Sequence, residues 1–128
     1  MSAMSNRELE RAGIVLLIPC LQKLGQSVSK QKGTFDLSVD GSDAEVKAKD
    51  KSFATMDFIT YTQNQYDAIR EGRKFDTYVI CGLEGKPEAY KLPSQSLQCV
   101  KPTIWTSYSY YRKDLESLLT GGLMTRIL

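Results

Sequence analysis

An Asp40-Gly41 pair stands between two runs that alternate apolar and polar residues, 33–39 and 42–49. Such a pair is a strong short-range hairpin signal, because both turn residues take positive φ, which Gly adopts freely and Asp tolerates. A two-residue turn sets Val39 opposite Ser42, Leu37 opposite Ala44 and Phe35 opposite Val46, all on one apolar side. On the other side Asp36 falls opposite Glu45, and Thr34 opposite Lys47.

That register places two carboxylates face to face. Directly opposed Cβ atoms are ~4.5–5.5 Å apart, and like charges so placed are destabilising. A divalent cation between them removes the conflict, since hard oxygen ligands suit Mg²⁺ and Mn²⁺. Glu45 and Lys47 share a face of their strand, which brings the ammonium beside the same ion. Two acids and a lysine around a divalent ion are a tool for phosphodiester hydrolysis: the metal polarises the phosphate and acidifies water, and the lysine assists the attack. Read from the pairing alone, the carboxylates could equally be solvated on an exposed sheet face, with Lys47 and Lys49 as counter-charges.

The rest of the chain predicts an α/β (α+β) fold with a mixed sheet, in the order α-β-β-β-α-β-β-α. Ser5 and Glu8 have capping-box spacing, and Leu9, Ala12, Gly13, Leu16, Cys20 and Leu24 recur at helical intervals, so 6–24 reads as a helix that Pro19 bends and Gly25 stops. A short strand near 26–30 precedes the hairpin. Thr62 and Gln65 form a second capping box, opening a helix with Tyr66 and Ile69 inward and Gly72 at its end. The nearly continuous apolar run at 76–83 reads as a strand covered on both faces, and 84–87 turns it into a partner strand, 88–92. A loop, an extended piece with Ile104 and Trp105, and a last helix holding Tyr108, Tyr111, Leu115 and Leu118 complete one domain over 1–128, with its core in 6–92 and a helix and tail in 93–128.

The 128 residues contain no histidine, which excludes Ser-His and Cys-His catalysis and imidazole-ligated zinc. Seventeen Lys and Arg against fifteen Asp and Glu leave +2, too little to mark a nucleic-acid binder by bulk charge. Cys20, Cys81 and Cys99 are widely spaced and lie among apolar residues, as buried thiols in a reducing cytosol do. The longest apolar stretch, 13–21, is far short of the ~20 residues that span a bilayer, and the charges before it are mixed in sign. The expectation is a soluble, cytoplasmic protein without signal peptide or membrane anchor.

Asp36, a gap of eight residues, then Glu45-Val46-Lys47 resembles the PD-(D/E)xK nuclease signature. The helix before the hairpin, the helix after it and the following strand match the order of that family's core. The stretch Gly33-Thr34-Phe35-Asp36 is similar to the glycine before the first acid in archaeal Holliday-junction resolvases and small restriction-like nucleases. From Glu45-Val46-Lys47 through Phe58-Ile59-Thr60 to Gln65 and Tyr78-Val79-Ile80, the chain is similar to the nuclease-like domains named for the plant NO VEIN protein. Thr34-Phe35 departs from the family pattern, where proline commonly precedes the first acid. The resemblance implies a restriction-endonuclease-like DNA endonuclease: Asp36 and Glu45 bind Mg²⁺ (Mn²⁺ substituting), the Val46 carbonyl adds a ligand, and Lys47 assists the attacking water. It also implies a homodimer. Glu10 is the candidate for the metal-reaching glutamate that members carry on their first helix, since Glu8 is already a cap. Gln65 is either a motif glutamine or simply the cap partner of Thr62.

Lys30, Lys32, Lys49 and Lys51 flank the hairpin, where lysines would hold phosphates without reading sequence. Residues 30–51 nonetheless hold five lysines and five acids, so solvated lysines are an equal reading. From residue 91 onward five basic residues face two acidic ones, and Tyr108, Tyr110 and Tyr111 adjoin Arg112 and Lys113: either a strand-stacking grip or a helix-packing or dimer surface. The apolar ending 123–128 suits docking on a partner subunit. Two other classes stay open: a nuclease fold that binds nucleic acid without turnover, and an interaction domain unrelated to nucleic acid.

Overall fold

A computed structural model of the chain describes residues 5–104 and 108–128. The first helix, α1 (Asn6–Lys23), starts at Ser5, whose side chain accepts from the Glu8 N–H, and runs through Pro19 without breaking. Three strands follow: β1 (Val28–Lys30), β2 (Leu37–Val39) and β3 (Ser42–Ala48). Asp40 (φ 51°) and Gly41 (φ 82°) make the tight turn, with Leu37 paired to Ala44 and Val39 to Ser42 as expected. Next come β4 (Phe58–Tyr61), α2 (Gln63–Arg70), β5 (Asp76–Cys81) and β6 (Glu88–Pro93). A 3₁₀ turn (Ser94–Cys99), β7 (Thr103–Ile104), β8 (Tyr108–Tyr111), α3 (Arg112–Thr120) and β9 (Thr125–Arg126) complete the described elements.

The fold is α+β. Its main sheet runs β1-β2-β3-β5-β6-β9, with β3 and β5 parallel and the other neighbours antiparallel. A parallel pair needs a crossover, which β4 and α2 supply. One face, with Leu37, Val39, Ala44, Val46, Tyr78 and Ile80, is covered by Leu17 and Leu21 of α1. A Cβ on Gly13 would come within 3.1 Å of the Ala48 Cβ, so glycine there lets α1 lie close on β3. The other face, with Val79, Cys81, Tyr90 and Leu92, packs against α2, α3 and a small sheet ordered β4-β8-β7. Strand β5 is therefore buried on both sides, as its apolar run predicts.

The expected element order stands, with additions and corrections. Residues 58–61 form a strand, and 108–111 extend as its antiparallel partner rather than opening the last helix. Aromatic and β-branched residues favour that pleated pairing, and Ile59 and Tyr110 meet across it. Tyr110 is buried, Tyr108 stacks on Tyr66 with centroids 3.9 Å apart, and Tyr111 tilts onto Phe58, so these rings serve packing. Trp105 lies outside the described residues. The tail folds back on its own chain: Thr125 and Arg126 pair with Lys91 and Tyr90, Met124 is buried, and Ile127 packs on the α1 side, while Leu123 and Leu128 stay exposed. All three cysteines are free thiols; Cys81 is buried and Cys20 half-buried, but Cys99 is exposed because it ends the 3₁₀ turn at the surface. No described helix is long and apolar enough to cross a membrane.

Candidate active site

The hairpin ladder stops at Leu37–Ala44, so Asp36 does not pair directly across from Glu45. The chain between β1 and β2 bends there, and the Gln31 N–H donates to the Asp36 carbonyl at 3.1 Å. Phe35 consequently leaves the side it was expected to share with Leu37 and Val46. It joins the opposite core, 4.6 Å from the Phe75 ring centroid. Asp36 turns its carboxylate onto β3 instead: Oδ2 accepts the Val46 N–H at 3.0 Å. The two acids are still neighbours, for the Asp36 charge acts on both Glu45 and Glu10.

Glu45 is only 5% exposed. Its Oε2 accepts from Lys47 Nζ at 2.9 Å and from Gln65 Nε2 at 2.6 Å. Its Oε1 is buried without a hydrogen-bond partner. Burial pushes its carboxyl up to about 7; Lys47 opposes that shift, while the Asp36 charge reinforces it. Glu10 stays exposed along most of its side chain, yet partial burial of its carboxyl and the nearby Asp36 raise it too. The three acids form a row with Asp36 in the middle. Among the described residues, no three acidic or thiol side chains close into a ready-made metal cage.

Gln65 is the cap partner of Thr62 and also contacts both Lys47 and Glu45. Its Oε1 accepts the Thr62 N–H at 3.1 Å, completing the capping box, and also accepts from Lys47 Nζ at 3.1 Å. Its Nε2 donates to the Thr34 carbonyl at 3.0 Å as well as to Glu45. Lys47 is held from below, its Nζ 4.9 Å from the Tyr61 ring centroid. The Tyr61 hydroxyl shares a 2.7 Å hydrogen bond with Thr77 Oγ1 in the core. Tyr61→Phe is expected to lose that bond at a cost of about 1–2 kcal/mol. Tyr61→Leu should cost roughly 1 kcal/mol more, by removing the ring under the ammonium. Chemical denaturation of the two variants checks the difference.

Of the expected phosphate-binding lysines, only Lys30 opens onto the acids. It lines a cleft of about 410 Å³ between α1 and β1, with Arg7, Glu10, Arg11, Ile14, Val15, Gln31 and Asp36. Lys32 is exposed beyond the cleft. Lys49 is drawn to Asp57 Oδ1 at 3.3 Å and lies over the Phe58 ring, while Lys51 is exposed after β3. Val46 buries its side chain against α1 and engages the site through its N–H. Arg7 and Arg11 were legible in sequence only as mixed charge ahead of an apolar stretch; their spacing of four, which stacks them on one helix face, is the signal that marks them.

The donor set fits a small hard cation. Mg²⁺ typically keeps several waters and takes one or two carboxylates, so it does not require a closed protein cage. Asp36 and Glu45 supply that pair, and the unpartnered Oε1 is an oxygen the fold leaves without another use. Comparisons with protein-family models, with curated proteins and with solved structures give no match.

Proposed function

We propose that the protein is a divalent-metal-dependent endonuclease that hydrolyses phosphodiester bonds in DNA. The observation that carries this reading is the buried Glu45 carboxylate, with one oxygen unpartnered, the Asp36 charge acting on it and the Lys47 ammonium on its other oxygen. Asp36 and Glu45 would hold Mg²⁺ or Mn²⁺, with Glu10 the next oxygen in the row. Such an ion supplies Lewis acidity to the phosphate and a more acidic water. Lys47 contributes positive charge where negative charge grows on the phosphate oxygens, and it is fixed for that task by Glu45, Gln65 and the Tyr61 ring. The order of helix, hairpin, helix and strand agrees with the PD-(D/E)xK resemblance, and a reducing cytosol belongs to the same reading. So does a homodimer, since cutting two strands takes two sites.

The test is incubation with supercoiled, linear and branched DNA plus Mg²⁺ or Mn²⁺. Cleavage is expected, and Lys47→Ala should lower its rate by about 10²–10³-fold, the scale set by removing one charge-stabilising donor. DNA retention without cleavage under every condition would favour a binding module instead. Absence of both salt-sensitive retention and cleavage would favour an interaction domain.

A further inference from the structure

The α1–β1 cleft carries information about the substrate beyond the ion. Arg7 and Arg11 lie one helical turn apart, and with Lys30 they give the cleft three cations beside the Glu10 and Asp36 carboxylates. Among the described residues none of the three enters an ion pair, so their charges are free to meet a ligand. The wall next to them is apolar: Ile14 is half-buried, and Val15, 67% exposed, is the most exposed large apolar side chain described. Phosphate and base chemistry therefore meet in one recess, charged at one side and apolar at the other.

Size decides which form of polynucleotide suits it. About 410 Å³ is the volume of a pocket for one small molecule. Duplex DNA stays straight over ~50 nm and keeps its bases stacked inside, so it cannot feed a single nucleotide into such a recess. An unpaired strand can, since its bases are free to lie against side chains while its phosphates meet cations. Resting on the nuclease reading, we infer that this cleft seats unpaired DNA, with a phosphate on Arg7, Arg11 and Lys30 and its base against Ile14 and Val15. The preferred substrate is then a strand with single-stranded character, not an intact duplex.

The experiment measures binding of a labelled 12-nucleotide strand and of the blunt duplex of the same sequence by fluorescence anisotropy. Ca²⁺ replaces Mg²⁺ there, and cleavage is assayed in parallel with Mg²⁺. The strand is expected to bind about ten-fold more tightly than the duplex. The Arg7→Ala/Arg11→Ala double variant should lose about ten-fold in strand affinity and flatten the slope of log K against log salt by ~0.7 per lost phosphate contact. Val15→Asp should weaken strand binding and leave the salt slope of the arginines intact. Lys86→Ala, outside the cleft, should stay within about two-fold of the parent. All four positions are exposed, so melting temperatures should stay close to the parent's and loss of fold is readily recognised. Duplex binding as tight as strand binding, or an arginine variant with unchanged affinity and slope, overturns the inference. If duplex is then still cut in a Lys47-dependent way, the nuclease reading stands without it. If neither polymer is bound or cut, that reading falls as well.

Discussion

Glu45→Gln is expected to raise the melting temperature of the metal-free protein at pH 8 and to leave it nearly unchanged at pH 4. Glu45 ionises in the unfolded chain near the ordinary glutamate value of 4.5 but in the folded protein only at about 7, because burial and Asp36 outweigh Lys47. An acid with a raised folded pKa holds its proton better when folded. Its penalty is absent below the unfolded value, grows as pH rises through the window, and is complete above the folded value. At pH 8 the wild type thus carries a cost of roughly 3 kcal/mol that an amide removes. A domain of this size should gain about 9–12 °C. The amide also keeps the existing hydrogen bonds, since its oxygen accepts from Lys47 and Gln65 as Oε2 does. Thermal melts of both proteins from pH 4 to pH 8 decide the matter. A lower melting temperature at pH 8, or an equal gain at pH 4, contradicts the picture of two carboxylates held together against their charge.

Mg²⁺ or Mn²⁺ is expected to stabilise the wild type by a comparable or larger amount. At about 100 times the dissociation constant, a ligand specific for the folded state adds ~2.7 kcal/mol, or roughly 8–10 °C here. The gain should increase from pH 6 to pH 8, because the cation competes with protons for Glu45, whose carboxyl is pushed up to about 7. It should vanish in Glu45→Gln, which offers a neutral amide in place of the charged ligand. Titration of the cation under scanning fluorimetry at several pH values tests this. A flat response at pH 8 would remove the metal site, and with it the proposed hydrolysis.

Local chemistry made much of this fold legible. The Asp40-Gly41 turn, the caps at Ser5 and Thr62, and the doubly covered β5 each rest on backbone rules that act within a few residues, and each is present. Longer-range competition was not legible. Extrapolating the hairpin register past Leu37 assumes that alternation continues, but Phe35 gains more by entering the aromatic cluster with Phe75 and Tyr61 than by staying in the ladder. That switch sends Asp36 to the Val46 N–H and toward α1, and it is why Glu10 joins the row. Residues 58–61 carried a readable strand pattern, a β-branched and aromatic run ending at the Thr62 cap. Their partner at 108–111 was ambiguous, since Tyr108 and Tyr111 also fit helical spacing into Leu115 and Leu118.

Because one amide at position 65 both starts a helix and grips Lys47 and Glu45, the chemistry of this chain has no separate scaffold to fall back on. Any substitution that shifts the beginning of α2 by a fraction of an ångström also misaligns the lysine and the acid. Drift in the neighbouring loop therefore disturbs the helix start and the Lys47–Glu45 geometry together.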